Sequence, residues 1–241
     1  MKFDVYEYTS RGGRDYNEDS VGSYYNSNGG IFVVADGLGG HSRGEEASAV
    51  AVETIIDGWE LNAKDMFAQF NAKFSEANMK ILELQKLRKC VMKTTAAVLA
   101  IDGDKAVMAN TGDSRVYFFH KKELHSYTND HSVAYKKYKA GEITREQIAT
   151  DEDQSCLLRA IGGEDRYQPE ITECNVPIVS GDAFMLCSDG AWEYLRDTEI
   201  LIDLLKSQTA KQWSELLMLR IMERIRNEEN DNLSIITVMV L

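Results

Sequence analysis

Three apolar runs, two of them rich in β-branched residues, each meet an acid at one end. No other feature constrains the chain as strongly. Ile31-Phe32-Val33-Val34-Ala35 leads straight into Asp36-Gly37, and Ala183-Phe184-Met185-Leu186-Cys187 leads into Ser188-Asp189-Gly190. Asn230-Asp231-Asn232 immediately precedes the run from Leu233 to Leu241. Such runs read as buried strands. Carboxylates at strand ends can converge although they are far apart in sequence. A further acidic pair, Glu18-Asp19, follows closely on Arg14. Converging carboxylates repel one another and call for a cation, and hard oxygen ligands suit Mg²⁺ or Mn²⁺. The residues therefore point to a carboxylate-walled metal site.

The rest of the chain alternates between two periods. Residues 2–9, 21–25 and 31–35 read as strands, with a turn over 26–30. After Asp36, residues 37–41 read as a flexible Gly-rich loop, and Ser42 with Glu45 reads as a capping box. The helix that follows places Ala47, Val50, Ala51, Ile55 and Trp59 on one face. A second helix over 63–88 carries Phe67, Phe70, Phe74, Ala77 and Ile81 at spacings of three and four. Hairpins are expected over 94–109 and 116–127. Residues 130–165 are polar and mixed, and short helices with a mobile excursion are expected there. Strands return at 171–176 and 183–187, helices at 198–206 and 209–226, and a strand closes the chain at 233–240. This grouping suggests an α+β layered fold of hairpin-built antiparallel sheets, not alternating βαβ units. No repeat or linker divides residues 1–241, which read as one domain.

Composition removes several classes. A net charge of −12 disfavours nucleic acid as the main partner. The four cysteines, Cys90, Cys156, Cys174 and Cys187, form no C-x-x-C pair, and the four histidines show no paired spacing, so a zinc site is not expected. Reduced thiols, a first segment without an apolar core and no membrane-length apolar run fit a cytoplasmic protein. Monomer is the default expectation.

Each acidic segment has a plain reading beside the chemical one. Asp36-Gly37 alone is a common turn pair. The chemical reading makes Asp36 a carboxylate bridging two cations, with Gly37 turning its carbonyl inward. Asn110-Thr111-Gly112-Asp113-Ser114-Arg115 reads plainly as a hairpin loop with an internal Asp113–Arg115 interaction. Thr94-Thr95 reads as β-propensity. Arg14 suits a bidentate hold on a phosphate, and His41 is a candidate proton donor. The phosphate-binding loop and the zinc-protease helix motif are both absent from the sequence.

Together and in this order, the segments resemble the PPM-type (type 2C) metal-dependent serine/threonine protein phosphatases, most of all the compact bacterial branch. The resemblance is carried by Arg14-x-x-Asn17-Glu18-Asp19, Val33-Val34-Ala35-Asp36-Gly37-x-Gly39-Gly40-His41, Thr94-Thr95, Gly112-Asp113-Ser114-Arg115, Thr128-x-Asp130-His131-Ser132, Leu158-x-Ala160-Ile161-Gly162, Cys187-Ser188-Asp189-Gly190 and Asp231-Asn232-x-Ser234. These motifs span nearly the whole chain. The resemblance implies a four-layer α/β/β/α sandwich of two antiparallel sheets flanked by helix pairs, with two Mn²⁺ or Mg²⁺ ions at one end. By motif match Asp36 bridges the ions, Gly37 offers its carbonyl, and Asp189 and Asp231 complete one shell. Glu18 and Asp19 lie at the second ion, and Asp113 with Asp189 matches a third-metal position in some relatives. Arg14 binds the substrate phosphate. The implied substrates are phosphorylated proteins, targets of a serine/threonine kinase, hydrolysed by a metal-activated water without a covalent intermediate. Leu38 departs from the Met common in bacterial relatives. Residues 130–155 match a mobile flap, and the acidic stretch 150–154 departs from the family there. Two rival readings are a phosphopeptide-binding regulatory module of the same fold and a small-molecule phosphomonoesterase.

Overall fold

The apolar runs are buried on both faces because each is a middle strand of a sheet inside a layered stack. The computed structural model describes residues 1–39, 43–63, 65–225 and 230–241. Among these, the strands are β1 (Phe3–Ser10), β2 (Asp19–Asn26), β3 (Gly29–Gly39), β4 (Met92–Thr94), β5 (Ala96–Asp102), β6 (Lys105–Thr111), β7 (Arg115–His120), β8 (Glu123–Tyr127), β9 (Glu170–Glu173), β10 (Ala183–Cys187) and β11 (Leu233–Val240). The helices are α1 (Gly44–Ile56), α2 (Met66–Arg88), α3 (Val133–Ala140), α4 (Asp189–Trp192), α5 (Asp197–Lys206) and α6 (Ala210–Arg224). One sheet runs β1-β11-β10-β7-β8 and the other β2-β3-β5-β6-β9, with β4 paired to the far end of β3. The strand pairs are antiparallel.

Period-two alternation sorts the side chains into three apolar layers. On β3, Ile31, Val33 and Ala35 pack against Ala47, Ala51 and Ile55 of α1 and Phe70 and Phe74 of α2. Phe32 and Val34 point the other way and meet Phe118, Phe184, Ile236 and Val238 of the facing sheet. On β10, Met185 and Cys187 turn outward to Ile200, Trp213 and Leu217 of α5 and α6. Phe118 and Phe184 stack at 4.6 Å across the β7–β10 pair, which contributes about 1 kcal/mol beyond the area buried. The result is the four-layer α/β/β/α sandwich that the motifs imply. Among the described residues no helix is long and apolar enough to cross a membrane.

Several local expectations change. β3 does not end at Ala35. It continues through Asp36 to Gly39 because β4 pairs with its extension, setting Gly37 opposite Thr94 and Leu38 opposite Lys93. Gly37–Gly39 is therefore strand rather than flexible loop. The cap position of α1 falls on Arg43, whose side chain makes no capping bond, and Ser42 lies outside the described residues. Trp59 is buried but lies beyond the end of α1. Phe67 is 40% exposed, whereas Phe70, Phe74, Ala77 and Ile81 are fully buried. Thr94 and Thr95 fall at the break between β4 and β5.

The expected flap holds α3, capped by Ser132 and ended by Gly141 in the left-handed region (φ 77°), then a 3-10 turn over Glu146–Thr150. Lys137 ties down Asp151 (2.9 Å) and Asp153 (2.8 Å), so part of the acidic stretch is neutralised internally. Arg145 pairs with Asp197 of α5 at 2.8 Å.

Candidate active site

Parity along the strands directs the acids to one end of the sandwich. Asp36 shares a face of β3 with Phe32 and Val34, the face that meets the other sheet. Asp19 stands directly opposite Asp36 in the β2–β3 ladder. Asp113 lies in the crossover from β6 to β7, which joins the two sheets, and Asp189 opens α4 immediately after β10. Asp231 sits just before β11. Arg14, Glu18, Asp36, Gly37, Asp189 and Asp231 all line one cleft of about 470 Å³. Asp19 and Asp113 are buried, 6% and 3% exposed. Of the candidate site residues, His41 alone lies outside the described residues.

The positions of these groups are fixed by backbone bonds. The Asp36 N–H donates to Thr95 Oγ1 (3.0 Å), and its carbonyl accepts from Thr94 Oγ1 (2.9 Å) and the Thr95 N–H (2.8 Å). Thr94-Thr95 thus clamps Asp36. Glu18 Oε1 accepts from the Gly44 N–H at the start of α1 (3.0 Å), where the helix dipole favours a carboxylate. Gly37 is needed for space, not for an unusual φ. A Cβ there would lie 2.2 Å from the Gly44 carbonyl oxygen and 2.5 Å from that of Glu18. A Cβ on Gly44 would fall 2.6 Å from the Gly37 oxygen and 2.7 Å from Glu18 Oε1, so those two oxygens are neighbours. Arg14 Nη2 donates to Asp231 Oδ2 at 2.8 Å from an exposed position.

Comparison with known proteins now decides the family. Residues 10–228 match the family model described as Protein phosphatase 2C. The chain belongs to the protein phosphatase 2C family. The serine/threonine phosphatase stp of Listeria welshimeri is 34% identical over 203 residues, covering 81% of this chain and 79% of that protein. The serine/threonine phosphatase of S. agalactiae superposes with a TM-score of 0.85 at 26% identity, covering all of both chains. The catalytic domain of PstP in complex with two manganese ions superposes with a TM-score of 0.83 at 26% identity, over 99% of this chain and 98% of that one.

In this member of the protein phosphatase 2C family, the acids hold one another's charge in check. Burial, then the Asp189, Asp19, Asp113 and Asp231 carboxylates, push Asp36 well above the ordinary carboxylate range. Burial and Asp189 do the same to Asp113. Burial raises Asp19 to about 7, against hydroxyl hydrogen bonds that favour its charge. Asp189 is raised by burial and Asp231, and Glu18 is raised chiefly by burial. Among the described residues no three acidic, histidine or cysteine side chains close on one point as a finished ligand shell.

Other residues position these acids: Ser188 and Asn232 stand in the motifs without an assigned role, and Trp192 lies in none of them. Ser188 Oγ donates to Asp19 Oδ2 at 2.7 Å. Asn232 accepts the Glu18 N–H (2.7 Å) and donates to the carbonyls of Arg11 (2.9 Å) and Tyr16 (2.8 Å), so it shapes the loop carrying Arg14. Trp192 Nε1 holds the Asp113 carbonyl at 2.9 Å. The Asp113–Arg115 interaction of the plain reading forms no ion pair among the described residues, although the Arg115 charge acts on Asp113 against the effect of burial. Arg115 pairs instead with Asp130, at 2.7 and 2.6 Å.

Proposed function

We propose that this chain hydrolyses phosphoserine and phosphothreonine esters in proteins, with two divalent cations, Mn²⁺ or Mg²⁺, held in the carboxylate cleft. The observation that carries the reading is one cleft lined by Glu18, Asp36, Asp189 and Asp231 beside a guanidinium, Arg14. The residues fit such ions. The donors are hard oxygens, and the buried oxygens Asp19 Oδ1 and Asp113 Oδ1 have no hydrogen-bond partner among the described residues, an arrangement that costs free energy unless a cation compensates it. Asp36, the Gly37 carbonyl, Asp189 and Asp231 would hold the pair together with Glu18 and Asp19, and Asp113 with Asp189 offers a place for a third ion. When bound, the ions supply an acidified water as nucleophile and neutralise charge at phosphorus.

The chain's own residues do the rest. Thr94 and Thr95 fix the Asp36 backbone, and Ser188 and Asn232 fix Asp19 and Glu18. Arg14 reaches over the cleft from Asp231, and its remaining N–H groups are suited to the phosphoryl oxygens as charge builds there. Phosphorylated proteins, targets of a serine/threonine kinase, are the proposed partners, in the cytoplasm. The test is phosphate release from a phosphothreonine peptide with Mn²⁺ and then with excess chelator. Release that needs the metal is expected. No release at any metal concentration, from folded protein, would favour the regulatory-module reading.

A pH prediction follows from the raised acids. Asp19 titrates near 7 in the folded chain against 3.8 ordinarily. Between those values the folded state holds a proton that the unfolded state has released, so folding stability falls as pH rises, by up to about 1.4 kcal/mol per pH unit for one such group. In chelator, the thermal midpoint should drop between pH 5 and pH 7.5 through these acids. Mn²⁺ binds the ionised forms, so its addition should raise the midpoint more at pH 7.5 than at pH 5. Equal metal-induced shifts at both pH values in a melting series would contradict the placement of the ions among these acids.

A further inference from the structure

The cleft does not end at its acids. Past Leu38 it meets a groove of about 420 Å³ bordered by Lys93, Leu157 and Leu158. Through Leu158, Arg159 and Arg166 that groove joins a hollow of about 430 Å³ bordered by His131 and Lys136. The walls are set by backbone pairing. Lys93 stands opposite Leu38 in the β3–β4 ladder. The strip from Leu157 to Ile161 is laced on both sides. The Leu158 N–H donates to the His131 carbonyl (2.7 Å), the Ala160 N–H to Arg166 (3.0 Å) and the Ile161 N–H to Thr94 (2.8 Å). A trough built this way loses little entropy on receiving a ligand.

Its charge runs against that of the whole chain. Lys93, Lys136, Arg159 and Arg166 form no ion pair among the described residues. Asp130, the buried acid in the same wall, is already held by Arg115. Among the described residues bordering the trough, Glu164 and Asp165 oppose the four cations, and Glu170 stands beside them, 3.4 Å from His131 Nε2. The net charge of −12 does not cancel this local excess, because salt screens charges beyond about 8 Å at physiological ionic strength.

We infer that this trough seats the polypeptide flanking the phosphorylated residue and selects substrates with acidic side chains there. Leu38, Leu157 and Leu158 give the flanking chain apolar contacts, and the four cations supply the charge preference. This rests on the phosphatase reading of the adjoining cleft. An extended peptide leaving the cleft past Leu38 would run along the trough, and complementary charge sets partner choice in such interfaces.

The test compares phosphothreonine peptides of equal length with acidic, neutral or basic flanking residues, using kcat/KM in Mn²⁺. The wild type should favour acidic over basic flanks by about tenfold, the scale of a few solvent-exposed charge pairs. The double variant Lys136→Glu/Arg166→Glu, shown to be folded by its melting curve, should lose or invert that ratio. Equal kcat/KM for acidic and basic peptides in the wild type would overturn the inference while leaving the phosphatase reading intact. A wild-type ratio retained in the double variant would overturn it as well. Turnover of no peptide at all would count against the phosphatase reading. Fluorescence anisotropy of the same peptides with Asp36→Asn protein then decides the trough separately. Tighter binding of the acidic peptide supports it, and indifference to charge overturns it.

Discussion

Replacing Asp36 with asparagine should lower kcat on a phosphothreonine peptide by roughly 10³-fold or more, about 4 kcal/mol of barrier. The change keeps the size of the side chain and every backbone bond that Thr94 and Thr95 make to residue 36. What it removes is one negative charge from the centre of the cluster, where Asp19, Asp113, Asp189 and Asp231 all act on it. The metal-free wild type must either hold protons on these acids or bear their repulsion. In chelator at pH 7.5 the variant should therefore melt at or above the wild type. With Mn²⁺ the order should reverse, because the wild type gains the binding free energy and the variant loses much of it. Metal-titrated kinetics and paired melting curves check both halves. Turnover within tenfold of wild type at saturating metal would remove Asp36 from the site. A large loss of stability in chelator would mean that residue 36 is structural. Asp231→Asn, which also takes the negative charge from the pair with Arg14, should lose activity in the same way.

The sequence revealed where the buried strands lie but not where they stop. The β3, β10 and β11 runs are apolar at successive positions because one face meets helices and the other meets the second sheet, and that burial is written locally. Asp36-Gly37 looks like a turn because nothing near it shows that β4 will arrive to extend the ladder. The Gly37 requirement has the same non-local origin, since the backbone it must avoid belongs to Gly44 and Glu18. The acids were legible as strand-end residues, and family motifs ordered them. The groups that hold them were not. Ser188 reaches Asp19 from the other sheet, and Asn232 reaches Glu18 from the far end of the chain. Phe67 keeps the helical period of α2 yet stays exposed, because the period marks a face and not how far along the helix that face is covered. Arg115 shows the limit most clearly. Sequence proximity favoured Asp113, whereas the β7–β8 hairpin carries Asp130 back beside it.

That pair leads to the second large effect. Arg115→Ala should destabilise the protein by about 3–5 kcal/mol, a fall of about 10 °C in the melting midpoint for a chain of this size. Arg115 and Asp130 are 5% and 4% exposed. Burial works against the guanidinium charge, but the Asp130 carboxylate outweighs it and keeps Arg115 firmly protonated. The fork makes two bonds to Asp130, reaches Tyr117 Oη at 3.1 Å and lies 3.5 Å over the Trp192 ring. Alanine leaves a buried carboxylate without a partner and a void beside the indole. The double variant Arg115→Met/Asp130→Leu should recover most of the loss, because an apolar pair of similar volume avoids the desolvation of both charges. A loss under about 1 kcal/mol in the single variant, or no recovery in the double, would contradict this account. Activity separates the two roles. Arg115 touches no group of the cleft and acts through Trp192, which holds the carbonyl of Asp113. Assayed below its melting range, Arg115→Ala should therefore keep far more activity than Asp36→Asn, and any deficit should shrink in the double variant as the packing around Trp192 is restored.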